Sequence, residues 1–494
     1  MVNDANLNFD FFVNPIDPQL QLDVDALFRA LSGPQLEAPP PPYLAHSIAL
    51  PCVTAAKTLP YLQLSAVIEN LMTGPSIVGS VKNLHLAVSK GDDEDFGNIS
   101  PIPFRLEDNP TTLPTIKQLV LQHVDLTWRP SGQQPVPLRQ LHLTNFPGSH
   151  TAHPSMDDLL AILRACPRLT QLSLSNVGPD LGACFVNPSN QVSVPNLEKL
   201  CLHNTVINIH NVLARLEVPD TAKIHLKTSL TSQGSLRAVH CLPKNHQLWP
   251  LHKIETLLIT SGRDRGGVIV EGFSDTDILP FDLARVRAGG KQKLTMEFLC
   301  ESGSPRTWLG CGDGPVAADV IAEVLQTFQN VGLSHVQIRC PVSSVSEAEW
   351  SCILPHLSST TQLTLTNIED TRQYRVSGNF NWLKALSFRK YNPRAGVMGT
   401  LCPKLDHLTL YGLVTDTHFA NELCNTLRSR LLNGFKLTTL TMIQRHEGEG
   451  LQAEKWKQWP IQDQNLVAEF IPDVGSDGHK DELYTDVGPG FCDY

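Results

Sequence analysis

One short phrase recurs about every 30 residues along the 494-residue chain, and it constrains the fold more than any other feature. The phrase is an apolar residue, any residue and a second apolar residue, usually with a Leu three positions before. Its clearest copies begin at Leu138, Leu169, Leu197 and Leu405. Alternation with a period of two predicts a β-strand whose apolar side chains share one face. One copy cannot bury that face alone, so neighbouring copies must stack on one another.

This recurrence is typical of leucine-rich repeats. The intervals between phrases run from 22 to 42 residues, and the segments between them have the periodicity of helices. We therefore predict an α/β fold: a leucine-rich-repeat solenoid with a curved parallel sheet on the concave side and helices on the convex side. The thirteen predicted strand phrases lie at Leu84, Leu119, Leu141, Leu172, Leu200, Ile224, Leu257, Leu294, Val336, Leu363, Leu386, Leu408 and Leu440.

Four helices have clear start signals or length. Ser155 and Ser346 are predicted capping residues, the second in a capping box with Glu349, and residues 317–328 and 418–432 are the other strong helices. An Asn follows the strand phrase at the same offset in four copies, and we expect its amide to bond leftover backbone groups where the chain leaves the strand. These residues are Asn145, Asn176, Asn204 and Asn367.

The phrases divide the chain into three predicted regions. Residues 1–58 form a non-repeat segment with a Pro-rich linker at 39–42, residues 59–445 the solenoid of about 13 irregular units, and residues 446–494 a C-terminal cap and mobile tail. The Gly-rich stretch 261–292 is predicted to be an insertion loop on the rim. Trp456 and Trp459 are predicted to cap the last unit.

The net charge and the cysteines limit which partners and which cellular location we expect. A net charge of −10 argues against nucleic acid or an anionic membrane as the main partner. The 12 cysteines form no C-x-x-C pair, and we expect Cys166, Cys340 and Cys402 to be reduced, buried side chains. No signal peptide and no apolar run of spanning length is found. The expected location is cytoplasmic or nuclear.

The sequence contains no motif for catalysis. It lacks a phosphate-binding loop, H-E-x-x-H, a zinc-spaced Cys/His set and a G-x-S-x-G elbow. The glycines of Gly310-x-Gly312-x-Gly314 precede a Pro and predict a turn. We therefore expect a non-enzymatic protein without a metal or cofactor.

The outward strand positions are the candidate site, because the residues between two buried leucines face the groove. They are polar and nearly uncharged, which suits recognition of a protein partner. At the C-terminal end Arg389, His407 and Tyr411 are expected to converge, and Arg and Tyr are residue types that anchor interfaces. The full set of candidate partner-binding residues is Gln140, His142, Gln171, Ser173, His203, Arg389, His407 and Tyr411.

The amino-acid sequences of three copies resemble those of the F-box/leucine-rich-repeat proteins of mushroom-forming fungi. These copies lie at 160–176, 194–202 and 401–410. The resemblance covers roughly residues 60–445. It implies a relation to receptors that recruit substrates to a cullin-RING ubiquitin ligase through an N-terminal helical F-box. Residues 1–58 show no F-box pattern, and Leu59-Pro60 followed by Val67-Ile68-Glu69 is only a faint echo of one.

Three functions follow as expectations. The first is non-catalytic protein recognition by an intracellular solenoid related to those receptors. The second is a complete receptor whose divergent N-terminus, within residues 1–75, binds the ligase adaptor. The third is an enzyme with a site on the solenoid rim.

Overall fold

The computed structural model describes twenty segments of the chain, which fall into two compact units. Unit 1 comprises residues 1–229 and 240–250, and unit 2 comprises residues 230–239 and 251–494. The described segments are 53–59, 81–88, 102–106, 116–128, 135–145, 155–177, 191–230, 238–242, 250–261, 267–274, 292–300, 317–329, 331–342, 345–367, 380–387, 389–392, 397–411, 417–435, 437–444 and 455–460.

Unit 1 is built on a parallel sheet with the order β1-β2-β4-β6-β7-β9-β11. Two short parallel pairs, β3 with β5 and β8 with β10, follow the main strands. The described strands are β1 (Val53–Leu59), β2 (Val81–Val88), β3 (Ile102–Leu106), β4 (Gln118–Gln122), β5 (Val124–Trp128), β6 (Gln140–Thr144), β7 (Gln171–Ser175), β8 (Val192–Ser193), β9 (Lys199–His203), β10 (Leu216–Glu217) and β11 (Lys223–Leu230). The described helices are α1 (Met156–Ala165) and α2 (Val206–Leu213).

The leucines of the repeat phrase hold this sheet in register. Leu141 of β6 lies opposite Leu119 of β4 and Leu172 of β7, and the row continues to Leu200 of β9. Each of these side chains is at most 1% exposed. Because a slip of one residue would turn every leucine toward the other face, the phrase fixes the pairing as well as the core.

The predicted helix after Ser155 is confirmed as α1. The Ser155 hydroxyl accepts a hydrogen bond from the Asp158 backbone N–H at 3.2 Å, Asp157 and Asp158 lie in the first turn, and Arg164 lies in the last. These charges complement the helix dipole at both ends. Leu159, like its apolar neighbours on the helix, is buried.

Unit 2 contains a mixed sheet with the order β14-β13-β12-β15-β16-β19-β20-β21. Its strands are β12 (Thr256–Ser261), β13 (Gly267–Phe273), β14 (Gln292–Cys300), β15 (His335–Cys340), β16 (Gln362–Asn367), β17 (Arg389–Asn392), β18 (Val397–Thr400), β19 (His407–Tyr411), β20 (Thr439–Gln444) and β21 (Lys455–Pro460). Its helices are α3 (Ala317–Phe328), α4 (Glu347–Ile353), α5 (Asn381–Ser387) and α6 (Thr417–Leu432). Short 3-10 helices span Ala238–Cys241, Pro250–Lys253 and Leu354–Leu357.

The parallel part of this sheet runs from β12 through β15, β16 and β19 to β20. The predicted capping box is confirmed at α4, where Ser346 and Glu349 bond each other's backbone N–H groups. The helices predicted over 317–328 and 418–432 are confirmed as α3 and α6. Strand β21 pairs antiparallel with β20, so residues 455–460 extend the edge of the sheet after the last phrase.

Twelve of the thirteen predicted phrases are strands of the main sheets, and the phrase at Leu386 is not. It lies in helix α5, where Trp382, Leu383 and Leu386 are buried at helical spacing. Strand β16 pairs directly with β19, Leu363 opposite Leu408, which leaves no place for a strand between them. The apolar residues around Leu386 fit both the two-residue period of a strand and the 3.6-residue period of a helix. The helix is formed because Trp382 and Leu383 are adjacent and both buried, whereas neighbouring residues of a strand point to opposite faces.

The prediction of one insertion loop over residues 261–292 is also wrong in part. Residues 267–273 form β13, which pairs antiparallel with β12 on one side and β14 on the other. Gly272 makes this possible, because a Cβ there would come within 2.7 Å of the Ile254 side chain. The glycine therefore permits close approach in a buried strand, and residues 262–266 and 275–291 of the predicted loop lie outside the described residues.

The helices of unit 2 pack side by side, α3 against α4, α4 against α5, and α5 against α6. Trp350 of α4 and Trp382 of α5 are almost fully buried in this layer. Phe419 of α6 meets Phe380 edge-on, with ring centroids 5.1 Å apart. Arg430 of α6 is 1% exposed and donates to the carbonyls of Leu401 and Cys402, each at 2.9 Å, ahead of β19.

The predicted asparagine contacts are confirmed at three of the four positions. The Asn176 amide donates to the Asn145 carbonyl at 3.1 Å, and the Asn204 amide donates to the Val177 carbonyl at 2.8 Å. Asn367 accepts a hydrogen bond from the Val342 N–H at 3.3 Å. Asn176 adopts φ 52°, a left-handed conformation that Asn tolerates better than most residues.

The structure describes only part of the predicted N-terminal and C-terminal regions. Residues 53–59, placed before or at the start of the repeats, form β1 in parallel with β2. The Pro-rich linker at 39–42, the Val67-Ile68-Glu69 sequence and the tail after residue 460 lie outside the described residues.

Replacement of Asn204 tests the asparagine contacts. Asn204→Ala removes the bond to Val177 and those that Asn204 accepts from Thr205 and Asn208. We expect the free energy of unfolding in urea to fall by about 1–3 kcal/mol, because a partly buried carbonyl loses its donor.

Asn196→Ala is the matched control. Its amide also donates to a carbonyl of the preceding phrase, that of Pro167, at 2.8 Å, but this pair is exposed. Water replaces the lost donor, so a loss below about 1 kcal/mol is expected. Equal losses for the two variants would contradict a structural role specific to the strand exit.

Candidate functional site

The side chains between the buried leucines of unit 1 form one polar surface, which we call the polar face. Because directly paired residues in a parallel sheet share a face, the register places these side chains in lateral rows. Its described members are His85 of β2; Gln118, Val120 and Gln122 of β4; Gln140, His142 and Thr144 of β6; Gln171, Ser173 and Ser175 of β7; Lys199, Cys201 and His203 of β9; and Lys223, His225 and Lys227 of β11.

Five of the eight predicted site residues lie on this face. Gln140 pairs with Gln171, and His142 pairs with Ser173, on the adjacent strands β6 and β7. His203 lies on the next strand, β9, where its Nδ1 is hydrogen-bonded to the Ser175 hydroxyl at 3.1 Å. All five side chains are half-buried, so each keeps part of its surface open to a partner.

The other three residues belong to unit 2 and are not all on the same sheet. His407 and Tyr411 are both on β19, opposite Gln362 and Thr366 of β16. Arg389 is in β17, which pairs only with β18 in a separate two-stranded sheet. The prediction that Arg389 shares a strand row with the other two is wrong, because the phrase that carried it is helix α5.

A polar surface also exists in unit 2, but much of it is buried. Thr364 and Thr366 of β16, predicted to face a groove, are 2% and 5% exposed. Thr364 is hydrogen-bonded to His335 Nε2 at 3.1 Å, and Gln337 donates to Thr366 at 3.4 Å. Side chains this buried cannot meet a partner directly. His407 is exposed and Tyr411 is half-buried on the single strand β19, whereas the polar face of unit 1 carries accessible side chains on several adjacent strands.

Burial of the same kind occurs on the antiparallel strands. Glu271 of β13 is 4% exposed, and its Oε1 accepts a hydrogen bond of 2.8 Å from Gln292 Nε2. The Gln292 amide also donates to Thr295 Oγ1 at 2.9 Å. These bonds offset the cost of removing polar groups from water.

The histidines of the polar face are biased toward the neutral state. Burial, together with smaller contributions from Lys199 and His85, lowers the pKa of His142 to about 4. Burial also lowers the pKa of His85. The pKa of Lys199 falls through burial and through the adjacent Lys223, while Cys201 acts in the opposite direction. These basic side chains lie on four of the six strands from β2 to β11.

Sequence reasoning omitted part of this face. Lys223, His225 and Lys227 extend it onto β11, opposite Lys199, Cys201 and His203. The phrase there begins with Ile224 in place of Leu, which makes it a weaker match to the repeat. The signal was present in the alternation Lys-Ile-His-Leu-Lys, which places charged or titratable residues on one side and apolar ones on the other.

The described residues were also compared with the requirements for disulfide bonds, metal binding and a membrane-spanning helix, and the chain with known proteins. Seven cysteines in the described segments are free thiols, and Cys166, Cys340 and Cys402 are buried as expected. Within the described segments, no group of three or more metal-binding side chains was found. No described helix has both the length and the apolar character needed to cross a membrane. Comparison with protein-family models and with curated proteins found no match to this chain.

The lowered pKa of His142 predicts a loss of stability in acid. The folded value of about 4 lies below the unfolded value of 6.5, so the unfolded chain binds more protons between these pH values. The stabilisation is complete above pH 6.5 and is lost as the pH falls toward 4. Each pKa unit corresponds to about 1.4 kcal/mol.

His142→Gln should reduce the loss in unfolding free energy between pH 6.5 and 4 by roughly 1–3 kcal/mol, measured by urea unfolding at several pH values. Gln140→Ser on the same strand is the control, since it removes no titratable group. An unchanged pH dependence in His142→Gln would show that this histidine is not held neutral by the fold.

Proposed function

We propose that this chain is a leucine-rich-repeat solenoid that recognises a protein partner, without catalysis, through the polar face of unit 1. The observation that carries the proposal is the alignment of half-buried polar side chains on neighbouring strands, backed by a continuous row of buried leucines. A rigid sheet holds these groups at fixed spacing, which lowers the entropy cost of binding.

The composition of the face supports recognition of a polypeptide. Gln140, Gln171, Ser173 and Thr144 offer both donors and acceptors, as an extended backbone requires. Adjacent strands lie about 4.8 Å apart, so one row across β4, β6, β7, β9 and β11 extends over roughly 19 Å. A segment of about six extended residues would cover that distance.

The proposed relatives are the substrate receptors of cullin-RING ubiquitin ligases, and this part rests on the resemblance of the repeat phrases. The proposed setting is the cell interior, supported by the free thiols of the described cysteines. The strand at residues 53–59 means that a helical adaptor-binding module would have to lie outside that segment.

A bulky side chain at the centre of the face tests recognition. Ser173 lies between His142 and Cys201 in its row and is half-buried. Ser173→Trp should weaken partner binding at least tenfold, or about 1.4 kcal/mol, by occupying the space a partner needs. The unfolding free energy should change by no more than about 0.5 kcal/mol, since the position is outside the core.

The measurement is photo-crosslinking in cell extract, with a photoreactive amino acid at Gln171 and, as a control, at Arg168. Arg168 is exposed in the turn between α1 and β7. Protein adducts should form from Gln171 only, and added unlabelled wild-type chain should suppress them while the Ser173→Trp chain does not. Equal suppression by both competitors would contradict recognition through this face.

A further inference from the structure

The polar face of unit 1 has a one-sided charge. Its described members include three lysines and four histidines but no Asp or Glu, although the whole chain contains 49 acidic and 39 basic residues. A surface without carboxylates is therefore unrepresentative of this acidic protein. The charged members are therefore Lys199, Lys223 and Lys227, and the histidines His85, His142, His203 and His225 add no negative charge.

The positive groups are concentrated on the two strands β9 and β11. Lys199 is directly opposite Lys223, and His203 is directly opposite Lys227, on strands about 4.8 Å apart. Lys223 is exposed, and the charge of Lys223 helps to lower the pKa of Lys199. The like charges of Lys199 and Lys223 in paired positions repel, so an anionic group placed over them is favoured electrostatically.

We propose that the segment bound by the polar face is an acidic peptide stretch of a protein partner, with Asp or Glu side chains over β9 and β11. This inference rests on the proposed function and specifies its partner. The carboxylates would lie near Lys199, Lys223 and Lys227, and the backbone would meet the Gln and Ser side chains of β6 and β7.

The chemistry of the face favours a peptide over a nucleic acid. The described members include no Arg and no Phe, Tyr or Trp, so bidentate phosphate recognition and base stacking are both missing from them. The net charge of −10 would repel a long polyanion, whereas a short acidic segment experiences mainly the local field. Screening at physiological salt limits that field to about 8 Å.

The experiment measures fluorescence anisotropy of labelled probes with the full chain. The probes are a ten-residue peptide of alternating Glu and Ser, the same peptide with Gln for Glu, and a ten-nucleotide single-stranded oligouridine. We expect the Glu peptide to bind at least tenfold more tightly than the Gln peptide at 50 mM salt, and to weaken severalfold at 200 mM.

Charge variants locate the site. Lys199→Gln/Lys223→Gln should lower the affinity for the Glu peptide at least fivefold, and Lys223→Gln alone, at an exposed position, should lower it by a smaller factor. The matched control is Arg164→Gln/Arg168→Gln, which also removes two positive charges from unit 1 but at exposed positions on α1 and the following turn. The control should stay within twofold of the wild type.

Three results would overturn the inference: equal binding of the Glu and Gln peptides, tighter binding of oligouridine than of the Glu peptide, or equal losses in the face and control variants. Failure of this inference is distinguishable from failure of the proposed function. If Ser173→Trp abolishes the partner crosslinks while Lys199→Gln/Lys223→Gln leaves them intact, recognition stands and the acidic partner is wrong. If neither variant affects them, both proposals fail.

Discussion

The two-residue period of the strands, kept in register from one strand to the next, is the constraint on which the structure depends. Leu119, Leu141, Leu172 and Leu200 pair with one another and are removed from water. At about 25 cal/mol per Å² of buried apolar area, such a row supplies a large share of the driving force for folding. The same register necessarily aligns the side chains between the leucines, so the core and the polar face share one origin.

Polar contacts at both ends of the strands reinforce that register. Where the chain leaves a strand, Asn176 and Asn204 donate to carbonyls of the neighbouring phrase. Where it enters a strand, a hydroxyl does the same: Thr170 donates to the Arg139 carbonyl, and Thr438 donates to the Asp406 carbonyl. The asparagine amides thereby pair the carbonyls of Asn145 and Val177, and the threonine hydroxyls add to the backbone hydrogen bonds that the carbonyls of Arg139 and Asp406 already accept.

The parts of the fold that sequence could predict are those determined by local alternation and capping. Strands with two leucines at alternate positions, and helices with Ser155 or Ser346 at the start, follow from short-range chemistry. Leu386 was misassigned because its neighbours Trp382 and Leu383 fit a helix as well as the strand phrase. Strand β13 was missed because its glycines indicate a loop until Ile254 is seen packed against Gly272.

The candidate site divides in the same way into a part that local sequence patterns predict and a part that tertiary packing decides. The outward positions of β6 and β7 could be read from the sequence, whereas the burial of Thr364 and Thr366 depends on tertiary packing that no local pattern encodes. The pairing of Lys199 with Lys223 likewise depends on which strands are neighbours. Its consequence is a pair of lysines on a face whose described members include no carboxylate, which neither composition nor net charge reveals.

Native cysteines allow the central claim, an open polar face opposite a closed leucine core, to be measured without any substitution. Cys201 is half-buried on the polar face, Cys166 is buried beside the core, and Cys352 is exposed on α4. The measurement is the rate of alkylation at each cysteine in the full chain, determined by mass spectrometry with and without the Glu-Ser peptide. The account predicts that Cys201 reacts much faster than Cys166 and is slowed by the peptide, while Cys352 is unaffected. Reaction of Cys201 as slow as that of Cys166 would contradict the open polar face, whereas a rate that the peptide leaves unchanged would contradict only the acidic partner.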